Sequence, residues 1–266
     1  MSFDWREAPE AEYAVIGDPV GHSLSPRMHM AAFKELGLAH RYVAIKVPKR
    51  ELPEAVAQLA MRGYRGLNVT VPLKEGIIGL LEAFDEPVRR IGAANTLDLT
   101  RMAATNTDAP GFLETLEPLG LPSDAPVLVL GAGGSAKAVV YALLQKEFSV
   151  LIHNRTREKA LALAEETGAE MVDAIDLRQA RLIVNATSAS LSGHDLGLDW
   201  QYAHPDAVAY DLSYASGPTP FIREARRAGL RTLDGLRLLV AQGALSFEWW
   251  FGVPAPRCAM MSAVGL

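Results

Sequence analysis

Short apolar runs alternate along the chain with longer stretches in which apolar residues return at three- and four-residue spacing. The short runs predict strands at Tyr13–Ile16, Tyr42–Val47, Gly66–Val69, Thr96–Leu99, Val127–Leu130, Ser149–His153, Leu182–Val184 and Ala207–Leu212. A helix is predicted over Arg27–Leu36, where Met28, Ala32, Phe33 and Leu36 share a face. Ser25 is its expected N-cap, with Pro26 at the first helical position. Strand and helix in alternation argue for parallel α/β sheets.

The segment Leu119–Pro126 is rich in Gly, Pro and polar residues and reads as a hinge. Near the other end, Leu238, Leu239, Ala241, Leu245 and Trp249 carry a long helical pattern that Pro254 and Pro256 should break. With 266 residues, one or two domains are expected.

Composition narrows this picture mainly by exclusion. Hydrophobic residues make up 49% and charged residues 21%, as in a globular chain with real cores. The net charge is -5 and no basic run occurs, so neither nucleic acid nor a membrane surface is an expected partner. No apolar run approaches the length of a membrane span. Cys258 is the single cysteine, which excludes an internal disulfide and a cysteine-rich zinc site. The N-terminus lacks the apolar core of a secretory signal, and a reducing cytoplasm is the expected compartment.

The strand at Val127–Leu130 runs into Gly131-Ala132-Gly133-Gly134-Ser135-Ala136 and then a helical pattern. Gly131 permits the tight turn, Gly133 admits a pyrophosphate close to the backbone, and Ala136 lets helix and strand pack closely. The helix start offers N–H groups and a positive dipole end to phosphates. The next strand should end in an acid if the ribose 2′-hydroxyl is to be held. Instead it reads His153-Asn154-Arg155-Thr156, with Lys159 a turn later. A guanidinium suits a 2′-phosphate, where an acid would repel it. The expected cofactor is therefore NADP, and the expected fold class is α/β: an N-terminal α/β domain (1–118 with 236–266) plus a Rossmann-type domain (119–235), the C-terminal helices returning to the first.

Polar strings crowd the first half. Ser23 and Ser25 precede a helix start, a natural carboxylate site, although either could merely cap. Alternation places Asn68 and Thr70 on one face, with Pro72 ending the strand and Lys74 opening the next segment. Asn95 and Asp108 stand at further element boundaries, and Asp108 alone could be a plain cap. In open α/β sheets ligands bind at the carboxyl ends of strands, where such groups could read hydroxyls and a carboxylate. No metal-ligand spacing appears, so activation by protein groups is expected.

Taken in order, GDPVGHSLSP (17–26), NVTVPLK (68–74), GAANT (92–96), TNTDAPG (105–111), GAGGSAKA (131–138), NRT (154–156), NATS (185–188), DLSY (211–214) and GLRLLVAQGALSFEWW (235–250) resemble the shikimate dehydrogenase family over nearly the whole chain. The resemblance implies NADPH-dependent reduction of 3-dehydroshikimate to shikimate, in aromatic amino acid biosynthesis. It implies Lys74 and Asp108 as the catalytic pair and Ser23 and Ser25 as carboxylate ligands. Asn68, Thr70, Asn95, Asp108, Tyr214 and Gln242 would surround the substrate ring, Gln242 reaching in from the C-terminal helix. Gly131–Ala136, Asn154–Lys159, Thr187, Leu212 and Gly235 would line the cofactor. A monomer or homodimer is expected. Ala104, Ala189-Ser190 and Leu238 depart from residues common at those places, and about ten residues at the N-terminus have no assigned role. A quinate-type relative and a silent NADP-binding protein are the competing readings; retention of Lys74 and Asp108 speaks against the second.

Overall fold

The structure is a computed structural model that describes residues 2–122 and 124–266. The chain forms two compact units: residues up to Gly111 together with Leu239–Leu266, and Phe112–Leu238.

The first unit is built on β1 (Phe3–Asp4), β2 (Tyr13–Gly17), β3 (Tyr42–Lys46), β4 (Gly66–Val69), β5 (Ala83–Phe84), β6 (Thr96–Asp98) and β7 (Ala103–Thr105). They lie in the order β1-β3-β2-β4-β6-β7-β5. Its helices are α1 (Ser25–Glu35), α2 (Leu52–Met61) and α3 (Glu86–Ile91), and near the C-terminus α9 (Arg257–Val264), which packs on α1. The pairs among β1, β3, β2 and β4 are parallel, as their helical crossovers require. β6, however, runs antiparallel to both β4 and β7, so this sheet is mixed. Between β6 and β7, Asp98 accepts from the main-chain N–H groups of Thr100 (2.8 Å) and Arg101 (3.2 Å), closing the tight turn that joins them as a hairpin. Ile16, Ile45, Leu59, Leu67, Leu73 and Ile77 are sealed in the core.

Helix α1 corrects one expectation. Ser25 is its first helical residue and Leu24 its N-cap, and no side chain caps the helix. The N-terminal extension also acquires a part. β1 adds to the sheet edge beside β3, with Phe3 opposite Ile45. Trp5 follows at 1% exposure, donating its indole N–H to Glu51 (2.9 Å) beneath the guanidinium of Arg6. Arg62 donates to the carbonyls of Arg6 and Ala8, and Tyr64 to that of Pro9.

The second unit holds β8 (Pro126–Leu130), β9 (Ser149–His153), β10 (Glu170–Met171), β11 (Leu182–Asn185), β12 (Val208–Asp211) and β13 (Arg231–Leu233). Every pair is parallel, in the order β10-β9-β8-β11-β12-β13. Helices α5 (Gly134–Leu144), α6 (Arg157–Thr167) and α7 (Pro220–Arg227) serve this sheet. Strand order reverses between β8 and β11, the place where open parallel sheets hold their ligands. Two remaining helices, α4 (Asp108–Leu116) and α8 (Leu236–Phe251), contribute residues to both units.

Deleting the Trp5 side chain should remove a large buried surface and leave a cavity at the sheet edge. Trp5→Ala is expected to cost about 3–5 kcal/mol of stability, measured by urea denaturation. A loss below about 1 kcal/mol, the range of surface substitutions, would show that the extension is not part of the core.

Candidate active site

The carboxyl ends of β2 and β4 create the first polar cluster. Beyond β4, the N–H of Thr70 bonds the carbonyl of Ile16 (2.9 Å), and the N–H of Asp18 bonds that of Val71 (3.0 Å). The two exit loops are thereby held side by side. Gly17 permits the approach, because a methyl there would strike the Thr70 methyl. Leu73, fully buried, then anchors the loop, and the Lys74 carbonyl accepts from the Ala94 N–H (2.9 Å). The Lys74 ammonium is so placed 2.7 Å from Oδ2 of Asp108, both side chains being about nine-tenths removed from water.

Asp108 opens α4 without capping it. Asn106 does that work, accepting from the N–H groups of Asp108 (3.0 Å) and Ala109 (3.2 Å) while donating to the Ala93 carbonyl (2.8 Å). The plain capping reading of Asp108 is therefore replaced, and its carboxylate is left to side chains. Oδ1 takes a bond from Nδ2 of Asn95 (2.9 Å). That amide's orientation follows from the main-chain N–H of Thr107, which can only donate and does so to Asn95 Oδ1 (2.8 Å). Nδ2 also reaches Thr107 Oγ1 (2.9 Å) and Gln242 Oε1 (3.2 Å), three acceptors for two hydrogens. A ligand can thus bond Asn95 by displacing one of them.

Asn68 is bound just as tightly. Its carbonyl oxygen accepts from the Tyr42 hydroxyl (2.7 Å), and its amide donates to Ser246 Oγ (2.9 Å). Ser246 in turn shares bonds with Thr96 (2.7 Å) and Thr107 (3.1 Å). The structure therefore brings Lys74, Asp108, Asn95, Asn68 and Gln242 into one network. Close packing of α4 on α8 helps, since a Cβ at Gly111 would sit 2.8 Å from the Gln242 nitrogen. Ser23 accepts from the Ser25 N–H (3.2 Å) instead, and neither serine nor Thr70 bonds to that network. Tyr214 belongs to the second unit, in the loop after β12.

Sequence reasoning missed Tyr42, Thr96, Asn106, Thr107 and Ser246. One signal for Ser246 was available: it stands one helical turn beyond Gln242 in an otherwise apolar stretch.

The second cluster lies along the carboxyl ends of the parallel sheet. Gly131 adopts φ +121°, and its N–H bonds the His153 carbonyl (2.8 Å). Gly133 is the N-cap of α5, and no side chain caps that helix. A Cβ on Gly133 would enter open space, so the backbone there faces room for a ligand. Ala132 and Ala136 are buried, while Gly134 and Ser135 start the helix at intermediate exposure. At the end of β9, Asn154 donates to the Thr156 carbonyl (2.8 Å) and shapes the turn into α6. Arg155, Thr156 and Lys159 are exposed there. Arg155 has no hydrogen bond or ion pair with the described residues, unlike its neighbour Arg157, which pairs with Asp173 at 2.7 Å. Thr187 donates to Asn185 Oδ1 (2.7 Å), and Gly235 fits against Leu212, where a Cβ would strike the carbonyl. An uncapped helix start, open glycine backbone and an unengaged guanidinium fit a dinucleotide phosphate with an added 2′-phosphate. Among the described residues no group of three or more His, Cys, Asp or Glu is placed to hold a metal ion. Among them, too, no helix is long and apolar enough to cross a membrane.

A dinucleotide-type parallel sheet joined in one chain to a buried lysine–aspartate pair defines a class, the nicotinamide-dependent dehydrogenases. Comparison with known proteins narrows it. Three family models align in order: the shikimate dehydrogenase substrate binding domain over residues 15–97, shikimate/quinate 5-dehydrogenase over 117–192, and the shikimate 5′-dehydrogenase C-terminal domain over 235–264. The NADP(+) shikimate dehydrogenase of Thermus thermophilus is 43% identical over 244 residues, covering 91% of this chain and 92% of its own. That of Methanothrix thermoacetophila is 40% identical over 260 residues, covering 95% and 96%. Among solved structures, the Thermus thermophilus enzyme in complex with NADP(H) and shikimate superposes with a TM-score of 0.86 at 42% identity, covering 94% of this chain and 97% of that one. Shikimate dehydrogenase from Aquifex aeolicus gives a TM-score of 0.90 at 34% identity, covering all of this chain and 98% of that one. The chain belongs to the shikimate dehydrogenase family.

Behind the first cluster, His29 is wholly buried and stacked on Tyr42, ring centroids 4.4 Å apart. Among the described residues neither ring nitrogen has a hydrogen-bond partner. Burial drives its pKa down to about 3, and the nearby Asn68 amide only opposes this. The unfolded chain takes up this proton below pH 6.5 while the folded chain does not. Stability should therefore fall as the pH drops from 6.5 towards 3, by about 1.4 kcal/mol per pH unit from this group. His29→Phe is expected to flatten the profile by that amount in denaturation measured at pH 4 to 7. An unchanged profile would mean that the buried imidazole is not the source.

Proposed function

We propose that this chain catalyses the NADPH-dependent, reversible reduction of 3-dehydroshikimate to shikimate in aromatic amino acid biosynthesis, in the cytoplasm. The observation that carries the reading is the buried Lys74–Asp108 pair at 2.7 Å, at the carboxyl end of a sheet in a chain that also holds a dinucleotide-type unit. NADPH, when bound, supplies the hydride to the ketone carbon. The α5 N-terminus and the Gly131–Ala136 turn would hold its pyrophosphate. Asn154, Arg155, Thr156 and Lys159 would hold the 2′-phosphate end, and Thr187, Leu212 and Gly235 would line the remainder.

As hydride arrives, the ketone oxygen gains negative charge. The Lys74 ammonium offsets that charge and delivers the proton to the oxygen, and Asp108 holds the ammonium in place while accepting a substrate hydroxyl. Asn95 keeps Oδ1 of Asp108 directed by its own donated bond, and Gln242 competes for the same amide. Ser23 and Ser25 would grip the substrate carboxylate near the start of α1. Asn68, Thr70 and Tyr214 complete the set of polar groups offered to the ring. Turnover of shikimate with NADP+, set against quinate and against NAD+, tests the assignment as a whole.

Lys74→Ala should lower kcat roughly 100-fold or more while direct shikimate binding stays close to wild type, the mark of an interaction made in the transition state. Asp108→Asn should lower kcat and weaken binding, and the double mutant should be little worse than Lys74→Ala, since the two act as a unit. Near-normal kcat in Lys74→Ala would sink this mechanism and leave the family membership intact. For the cofactor, Arg155→Asp should raise KM for NADP+ strongly, by about tenfold or more for a lost charged contact, and leave NAD+ little changed. Equal losses with both cofactors would show that Arg155 serves only the fold.

A further inference from the structure

β11 and β12 end side by side, with Asn185 in register with Asp211. Asp211 is completely buried. Its carboxylate accepts four hydrogen bonds: from Ser190 Oγ (2.5 Å) and Thr219 Oγ1 (2.7 Å) at Oδ2, and from Asn185 Nδ2 (3.2 Å) and the Ser213 N–H (3.0 Å) at Oδ1. No cation pairs with it among the described residues, and burial pushes its pKa above the ordinary carboxylate value. A carboxylate buried without a counter-ion is costly, and an apolar residue of similar size would serve the core better.

What the carboxylate secures is backbone. Asn185, held by Asp211 on one side, accepts on the other from the N–H (3.0 Å) and hydroxyl (2.7 Å) of Thr187. Thr187 Oγ1 then accepts from the Ala189 N–H (3.3 Å), and Ser190 closes the turn back onto Asp211. On the β12 side, Ser213 is fixed by Asp211, and its carbonyl accepts from the Gly235 N–H (3.0 Å). The same turn meets the glycine loop: the Ala186 N–H bonds the Leu130 carbonyl (2.9 Å), and a Cβ on Gly131 would lie 3.1 Å from the Ala186 carbonyl carbon. The loops at the carboxyl ends of β11 and β12 are thus locked to one another through one carboxylate, and the β8 loop is joined to the first of them by backbone.

A dinucleotide bound at a strand-order reversal lies across these ends. With its 2′-phosphate end at Arg155 beyond β9, the other half extends over β11 and β12. We propose that Asp211, clasped by Ser190, Asn185 and Thr219, is a positioning residue for the nicotinamide half of the cofactor, acting through the Thr187 and Ser213 turns that it fixes. This rests on the NADP reading above.

The test uses Ser190→Ala, which removes the bond to Asp211 and the bond that Ser190 accepts from Asn185 (2.9 Å), Ser190→Thr, which retains a hydroxyl, and Asp211→Asn. NADPH binding is measured by fluorescence titration. KM for NADP+ and for shikimate, melting temperature and the isotope effect with NADPH deuterated at the transferred position are measured alongside. Ser190→Ala should weaken NADPH binding by about tenfold, as the turn that lost its two internal bonds must be ordered again when the cofactor binds. KM for shikimate should stay within about twofold, since the substrate's own contacts are untouched. The isotope effect should rise as hydride transfer becomes slower relative to release, and Ser190→Thr should restore both readings. Asp211→Asn should show a larger change of the same kind; if it does not fold, the Ser190 pair carries the test. A Ser190→Ala protein that melts lower but keeps wild-type NADPH affinity and isotope effect would overturn the proposal. Wild type that binds NADPH without turning over shikimate would fail the proposed function alone, and the binding titration would still test the clasp.

Discussion

An ammonium and a carboxylate can sit 2.7 Å apart, largely out of water, only where their remaining bonding capacity is met by the protein. That requirement at Lys74 and Asp108 organises the first unit. Each charge loses hydration on burial, and the mutual attraction compensates only with good geometry and further hydrogen bonds. Asn95 supplies the bond that Lys74 cannot reach, at the second carboxylate oxygen. Its amide is oriented in turn by Thr107, and the hydroxyls of Thr96, Thr107 and Ser246 tie it to Asn68. Removing one partner would leave a buried charge unanswered, so the network behaves as one body.

Local devices of backbone chemistry make that network possible. Asn106 caps α4 so that Asp108 need not. Gly17 and Gly111 lack the Cβ that would hold Thr70 and Gln242 away. The second unit applies the same logic with different pieces. Gly131 turns at a positive φ open chiefly to glycine, and Asp211 gathers neutral donors around a buried carboxylate. In both units parallel strands converge their exit loops at one edge, and side chains of modest size are fixed there by main-chain groups.

Much of this was legible in the sequence because it rests on local rules. The strand runs at Gly66–Val69 and Ser149–His153 match the elements residue for residue, and the glycine turn falls between strand and helix as its spacing requires. What could not be read depends on tertiary contact. β1 pairs through only two residues, too few for any periodicity, and the residues that follow it are held by Glu51 and Arg62 from distant parts of the chain. The antiparallel β6–β7 hairpin turns at Asp98, a local bond that the alternation of strands and helices does not reveal. Ser25 illustrates the limit of capping rules: the residue type suits a cap, yet the helix begins one residue earlier and its hydroxyl takes no cap bond. The hydroxyls of Thr96, Thr107 and Ser246 carry no signal by type, since threonine is common in strands and serine ordinary in helices. Their importance comes from burial beside amides far away in sequence.

The chain's overall charge sharpens the division of labour between its cations. At net -5 the molecule as a whole repels the anions its family handles, a carboxylate and a phosphate-rich cofactor. Attraction must therefore be local, within the Debye length of about 8 Å at physiological ionic strength. Arg155 is exposed, so its charge acts in high dielectric and gains force only by direct, forked contact with a phosphate. A cation of that kind selects which anion binds. Lys74 is buried beside the Asp108 carboxylate, where each added charge is felt several times more strongly than at the surface. In the proposed reaction such a cation would discriminate between states of one ligand, a neutral ketone and the alkoxide it becomes. On the proposed reading, the same residue chemistry would serve recognition where water is present and catalysis where it is excluded, with burial deciding which.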